Sequence, residues 1–366
     1  MLPHLARSDP PDAAEWSDPR ADWAEPLYPP VKIDAVAQVL ATAGVPPAEL
    51  LAGTGVDPAR LQDPDHQTSS AQLYQVLRRA LHLRPLPDLG RRIGARLHVT
   101  SYGLYGYALL CAPTLEAALE RATRFHALAN PLVPISCRVA ASGVSWRFPA
   151  RHELLLPDLD DRLYRLLIEL QMAIHHTLSQ DVMGPGFAPS RVDVNWPAPA
   201  DGAGWSATFG APVEFGQARA ALHYPANALQ RTPQLANAVT AEQTSRECAR
   251  LLESLEGHTS MARRVSRELM RTPGRFPGIE AIASALAMTE RTLRRHLQAE
   301  GTSYAELLAR VRRALAEDYL RGTRMNLDDI AAALAFSDAR SFRHAFLRWT
   351  GSSPSDFRRT LALDRG

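Results

Sequence analysis

The sequence predicts an α+β N-terminal body followed by an all-α C-terminal domain, in which two helix-turn-helix units are joined by a long helix. Three observations carry that expectation. Within residues 279–354 one short pattern occurs twice: Ile282-Ala283, Leu286-Ala287-Met288 and Thr289 recur as Ile330-Ala331, Leu334-Ala335-Phe336 and Ser337, every match 48 residues apart. Upstream, stretches of helical period alternate with short β-type runs near 134–148 and 190–223. Charge is also divided unevenly. From Met261 onward 19 arginines face 12 acidic residues, a surplus of seven, whereas the whole chain carries only +2, which leaves −5 for the first 260 residues.

At 366 residues, 46% of them hydrophobic, the chain has room for two or three domains with ordinary soluble cores. Its three cysteines, Cys111, Cys137 and Cys248, form no C-x-x-C pair and no disulfide framework. No apolar run reaches the ~18 residues of a membrane span, and no secretory signal opens the sequence, so a cytoplasmic location is expected. Lys32 is the one lysine among 41 basic residues, a bias that points to a GC-rich bacterial genome.

Taken in order, residues 1–30 hold seven prolines and read as a disordered tail, with Trp16 and Trp23 its only large aromatics besides Tyr28. Helices are expected over about 33–43, 47–53, 69–83 and 87–97. Thr68, Ser69 and Ser70 offer caps for the third, whose apolar stripe is Leu73, Val76, Leu77 and Ala80. The nearly uncharged run from Thr100 to Leu110 must pack closely against another element. Thr114 caps a helix to about Ala129. Strands at about 134–140 and 143–148 form a hairpin across Ala141-Ser142-Gly143, and a long helix covers about 159–178. Shorter strands fit 190–195, 212–215 and 219–223, and helices at about 235–255 and 261–270 lead into the basic third. A linker falls at 256–260 or 271–278. The organisation expected is therefore a 1–30 tail, a 31–255 body and a 256–366 domain.

Each repeat reads as helix, tight turn, helix, over about 279–301 and 327–351. Ile282, Ala283 and Leu286 share one buried face, and the small residue admits a crossing helix. Thr289 caps the second helix of the first unit, Leu293 and Leu297 point inward, and Arg291, Arg294 and Arg295 fall on the outer arc. In the second unit Asn326 caps the first helix with Asp329 three residues on. There Phe342 and Phe346 face in, while Arg340, Ser341, Arg343 and His344 face out. These outer positions lie 49 residues from their counterparts, so the second copy has one extra residue in or after its turn. Gly301 and Gly351 stop the outer helices, and Pro354 opens a further one. An apolar inner stripe under arginines at the exposed N-terminal half suits entry into a DNA major groove, where arginine bonds guanine twice.

The run from Met288 to Arg358, above all its Phe-Ser-x-x-x-x-Phe-x-x-x-Phe-x-x-Trp-x-Gly-x-x-Pro series, closely resembles the AraC/XylS transcription regulators. The resemblance implies that one helix from about Tyr304 to Leu320 joins the two units. It places base reading at Arg291, Thr292, Arg294 and Arg295, and at Arg340, Ser341, Arg343 and His344. Two departures stand out. Ala335 occupies the second turn where the family has glycine, and His344 stands where arginine is common. Upstream, Gly103-Leu104-x-Gly106-x-Ala108, Pro113-Thr114-Leu115-x-x-Ala118-Leu119 and Phe209-Gly210-Ala211-Pro212-Val213-x-Phe215 resemble the arabinose-binding-like sensor domain of a subgroup of these regulators. That implies an effector domain over about 32–225, with its pocket between sheet and helices.

Tyr102, Tyr105, Tyr107, Phe125 and His126 are the candidate effector-lining residues, since tyrosine joins apolar area to a hydroxyl. No catalytic constellation, phosphate loop, cofactor motif or metal spacing is present: His175-His176 cannot pair at i, i+4, His152-Glu153 lacks a second histidine, and Gly204-Trp205-Ser206-Ala207-Thr208 lacks the last glycine of a nucleophile elbow. The expected function is a sequence-specific DNA-binding regulator, by resemblance an activator that recruits RNA polymerase, with a small-molecule effector and a homodimeric form both compatible. Its rivals are an effector-independent dimeric regulator and an enzyme with a DNA-binding tail.

Overall fold

A computed structural model of the full chain describes residues 21–363 apart from 141–142, 155, 157, 200–201, 258–260, 271–273 and 324. Its helices are α1 (Val31–Thr42), α2 (Pro47–Leu51), α3 (Ser70–Leu83), α4 (Leu89–Gly94), α5 (Gly103–Leu110), α6 (Leu115–Arg124), α7 (Asp161–Met183), α8 (Gly202–Phe209), α9 (Ala238–Gly257), α10 (Met261–Met270), α11 (Ile279–Ala285), α12 (Glu290–Ala299), α13 (Tyr304–Gly322), α14 (Leu327–Ala333), α15 (Ala339–Thr350) and α16 (Pro354–Leu363). The strands are β1 (Ser136–Ala140), β2 (Gly143–Arg147), β3 (Arg191–Asp193), β4 (Val213–Glu214) and β5 (Ala221–Pro225). The fold is α+β followed by all-α.

The five strands form one mixed sheet in the order β1-β2-β5-β3-β4. β1 to β3 pair antiparallel through β5, with Val144 opposite Tyr224 and Val192 opposite Leu222, and β3 to β4 is parallel. The hairpin β1–β2 sits where it was expected; its turn residues Ala141 and Ser142 lie outside the described residues. The 23-residue α7 is the spine of this half, capped by the Asp160 carboxylate on the Leu163 amide. It meets α4 at unusually close range: a methyl group on Gly90 would lie 2.6 Å from Glu169 Cβ, and one on Gly94 2.4 Å from Ala173 Cβ. Glycines at i, i+4 thus bring two backbones together, and the crossing buries the Arg91–Glu169 ion pair. The Thr100–Leu110 run does pack closely. It folds into a 3-10 turn and α5, and Gly106 faces the Val99 carbonyl with no room for a side chain.

Two separate apolar cores result. One gathers residues from Ile33 to Cys248, including the sheet and α7; the other runs from Met261 to Trp349. The capping expectations hold for Ser69, which forms a capping box with Gln72, and for Thr114. Two expectations are corrected. Residues 21–30 are not tail: Trp23 packs on Tyr74 at 5.4 Å, and Tyr28 bridges Thr68 by backbone bonds. The packing of Trp23 on Tyr74 of α3 and the Tyr28–Thr68 bridge outweigh the proline count. Trp16 lies outside the described residues. The stretch Gly202–Phe209, read only as a failed elbow, is helix α8, held by fully buried Trp205 and Phe209 despite two glycines.

Candidate functional site

The two turns of the C-terminal domain are built alike, atom for atom. In the first, the Met288 amide donates to the Ala283 carbonyl at 2.9 Å, and Leu286 to Ile282 at 3.0 Å. In the second, Phe336 donates to Ala331 at 2.9 Å and Leu334 to Ile330 at 3.0 Å. Both turns need one left-handed residue, and both use alanine, Ala287 at φ 56° and Ala335 at φ 55°. The alanine at 335 therefore does not reshape the turn; it adopts glycine's conformation and bears the strain.

The extra residue of the second unit is located by its cap. Thr289 caps α12 through the Thr292 amide, but α15 is capped by Asp338 through the Ser341 amide at 2.6 Å, not by Ser337. Ser337 is inserted, and its hydroxyl donates to the Asp338 carboxylate. These bonds from Ser341 and Ser337 hold the Asp338 carboxyl below the usual carboxylate range.

Beyond the caps, Leu293, Leu297, Phe342 and Phe346 are buried, which turns the opposite arcs outward. Arg291, Arg294, Arg295, Arg340, Arg343 and His344 are exposed, and Thr292 and Ser341 half-exposed. Three of the eight are engaged in their own helix. Arg294 pairs with Glu290 at 2.6 Å, the Thr292 hydroxyl meets that of Thr289, and the Ser341 hydroxyl donates to Asp338.

Helix α13 joins the units and fixes both. Ser303 and Glu306 form its capping box. Arg313 donates to the Trp349 carbonyl at the end of α15 at 2.7 Å, and the Tyr304 hydroxyl donates to the Pro277 carbonyl. Glu300, just past α12, accepts the Met261 and Ala262 amides at 2.6 and 2.8 Å, so α10 is capped by the first unit. None of these ties was anticipated from the sequence.

In the N-terminal half the five effector-lining candidates separate. Tyr107 is 56% exposed on α5, one residue past the tightly packed Gly106. Phe125 is fully buried core. Tyr105 lines a cavity of about 30 Å³ with Leu109, Leu115, Leu119, Trp146, His175 and Val182 among others, and its hydroxyl donates to the Ala122 carbonyl. Tyr102 stands edge-on to Tyr105 at 5.9 Å, and its buried hydroxyl has no hydrogen-bond partner among the described residues. His126 bonds the Val133 carbonyl and lies 6.2 Å from the His175 ring. Burial lowers the two imidazoles to about 3 and about 4, which keeps both neutral. Sequence reasoning missed His175 and Lys32 as members of this cluster. For Lys32 a signal existed: it shares a helix face with Val36, Val39 and Leu40, all buried.

Two exposed, arginine-bearing helices on paired helix-turn-helix frames, beside an α+β body with its own core, define a transcription regulator of the helix-turn-helix class. The arabinose-binding N-terminal domain of AraC transcription regulators matches residues 44–233, and a helix-turn-helix domain matches 282–360. The chain belongs to this AraC-type family. It is 31% identical to the ornithine utilization regulator of Pseudomonas aeruginosa over 91% of this chain and 96% of that protein. It is 30% identical to an HTH-type transcriptional regulator of Mycobacterium tuberculosis over 92% and 97%. A crystal structure of the regulator CdpR from Pseudomonas aeruginosa aligns over 90% of this chain and 98% of its own, with 25% identity and a TM-score of 0.46. No described helix is long and apolar enough to cross a membrane.

Proposed function

We propose that the protein is a cytoplasmic, small-molecule-responsive regulator whose residues 256–366 read DNA sequence and whose residues 31–255 bind the effector and support dimerisation. The observation that carries this reading is the duplicated turn: the same backbone bonds present two arginine-bearing helices from one rigid frame. Arg291, Thr292, Arg294 and Arg295 contact one major-groove segment, and Arg340, Ser341, Arg343 and His344 the next, about 34 Å along one face of the duplex. Arginine contacts to phosphate supply most of the affinity, so binding falls steeply with salt. The effector acts by binding two arrangements of the protein unequally, and the output is activation through RNA polymerase.

The test is binding of the full chain to its own upstream region and to random DNA across a salt series, beside Arg295→Ala and Arg343→Ala. Each substitution should cost ~1–3 kcal/mol on the specific site and less on random DNA. Equal loss on both would make these arginines phosphate contacts and remove their reading role.

A further inference from the structure

The single lysine of this arginine-rich chain is not on the surface. Lys32 sits on α1 at 6% exposure, inside the N-terminal core. Its ammonium donates to the Asn130 carbonyl at 3.2 Å and lies 5.9 Å from the centre of the Tyr102 ring. No carboxylate pairs with it among the described residues. Asn130 is itself set in the left-handed region at φ 49° and accepts the Ser70 hydroxyl at 2.7 Å. Nearby, the Tyr102 hydroxyl is buried and unpartnered. An ammonium with donors to spare and an orphan hydroxyl therefore share one buried place. Both are costly to bury without partners. Neither group lines the apolar cavity itself; the link to it runs through Tyr105, which stands edge-on to Tyr102 at 5.9 Å and is part of the cavity wall with His175.

We propose that this place is the effector site and that it takes a small organic monocarboxylate, the carboxylate held by Lys32 and Tyr102 and the apolar body entering the cavity beside Leu115, Leu119 and Val182. The proposal rests on the effector-responsive reading above and names its ligand class. One cation and one hydroxyl match one carboxylate; a phosphate dianion would bring more charge than a single ammonium offsets. The lining is apolar apart from Tyr105, His175 and Ser179, so a second charged group on the ligand would go unpaired. The cavity of about 30 Å³ accommodates little more than a water, so a longer body must displace side chains.

Proton linkage supplies a signature. Burial lowers the Lys32 ammonium to about 7, so at pH 8 it is mostly neutral. A carboxylate beside it favours the charged form, and binding takes up a proton. The groups facing Lys32 do not compete. His126 and His175 stay neutral, and burial pushes the Tyr102 and Tyr105 hydroxyls up, out of range.

The experiment is titration calorimetry of the full chain at pH 8 with sodium butyrate, hexanoate and octanoate, in two buffers of different ionisation enthalpy. Hexanamide, hexylamine and sodium chloride are the controls. The expected result is carboxylate binding with uptake approaching one proton, and at least tenfold weaker binding of every control. Lys32→Met should lose at least tenfold in affinity together with the proton uptake, and Tyr102→Phe several-fold in affinity alone. The wild-type proton count needs no variant, so a poorly folding substitution leaves the test intact. Absence of binding by all three carboxylates, binding without proton uptake, or equal binding of the amide overturns the proposal. Specific DNA binding measured on the same preparation separates the two readings. If it persists while no carboxylate binds, the pocket proposal fails alone. If carboxylates bind with proton uptake but leave DNA affinity unchanged, the pocket stands and the effector-responsive reading fails.

Discussion

The guanidinium of Arg312 donates to the Ala335 carbonyl at 3.1 Å and lies 4.8 Å over the Phe336 ring. The same guanidinium lies 5.1 Å from the Phe276 ring, just before the first unit. One side chain of α13 therefore clamps the strained turn of the second unit to the segment leading into the first. Arg312→Ala should destabilise the C-terminal domain by roughly 1.5–3 kcal/mol, the range for a hydrogen bond involving a charged group. Arg312→Lys should recover little, since a compact ammonium lacks the planar guanidinium that contacts both rings. Urea unfolding of the two variants decides; full recovery by lysine would mean that charge alone holds the turn.

The strain at the two turns gives a second expectation. Ala287 and Ala335 both hold positive φ, where glycine pays no Cβ penalty. Ala287→Gly and Ala335→Gly should each stabilise the domain by about 0.5–1 kcal/mol, after glycine's larger unfolded-state entropy is set against the relieved strain of ~1–2 kcal/mol. A fall in thermal midpoint for either would show that the frame already accommodates the alanine.

Arg294 is tied down before any DNA arrives, by Glu290 one turn earlier. Glu290→Gln frees the guanidinium and removes a negative charge from the helix proposed to face DNA. DNA affinity should rise several-fold at low salt, with the gain shrinking as salt increases. An unchanged affinity would mean that Arg294 does not reach DNA.

The buried cluster of the N-terminal half predicts a pH profile for stability. Lys32 has a folded-state value near 7 against 10.5 unfolded. The unfolded chain therefore binds more protons between those values, and stability rises with pH across that window. The penalty is fully present below pH 7. His126 and His175, lowered to about 3 and about 4, give a second rise from about pH 4 to the ordinary imidazole value of about 6.5. Thermal melts from pH 4 to 9 should show both rises. Lys32→Met should remove only the upper one and raise stability at pH 7. A flat profile above pH 7 in the wild type would contradict the burial of a neutral lysine.

How much was legible follows from which forces are local. The duplicated turns, the inner stripes and the caps at Ser69, Thr114 and Thr289 rest on residues three or four apart, and a linear reading catches them. The cap at Asp338 rather than Ser337 was hidden because both residues cap well and only the fold shows which one is inserted. α8 was missed because two glycines lower its helical propensity, and only long-range burial of Trp205 and Phe209 restores it. The outward direction of Tyr107 was not legible because composition cannot tell the faces of a tyrosine-rich helix apart. Lys32 was passed over because a charge reads as surface, although its period on α1 pointed inward.

Two helices held by α13 should read one face of the duplex together. Hydroxyl-radical footprinting of the full chain on its own upstream region tests it most directly, with a second template carrying five base pairs inserted between the protected segments. Two protected patches about 10 base pairs apart on one face are expected, the spacing of successive major-groove segments, and the insertion should abolish the double footprint. A single patch, or a double footprint that survives the half-turn insertion, would contradict a rigid pair of reading helices.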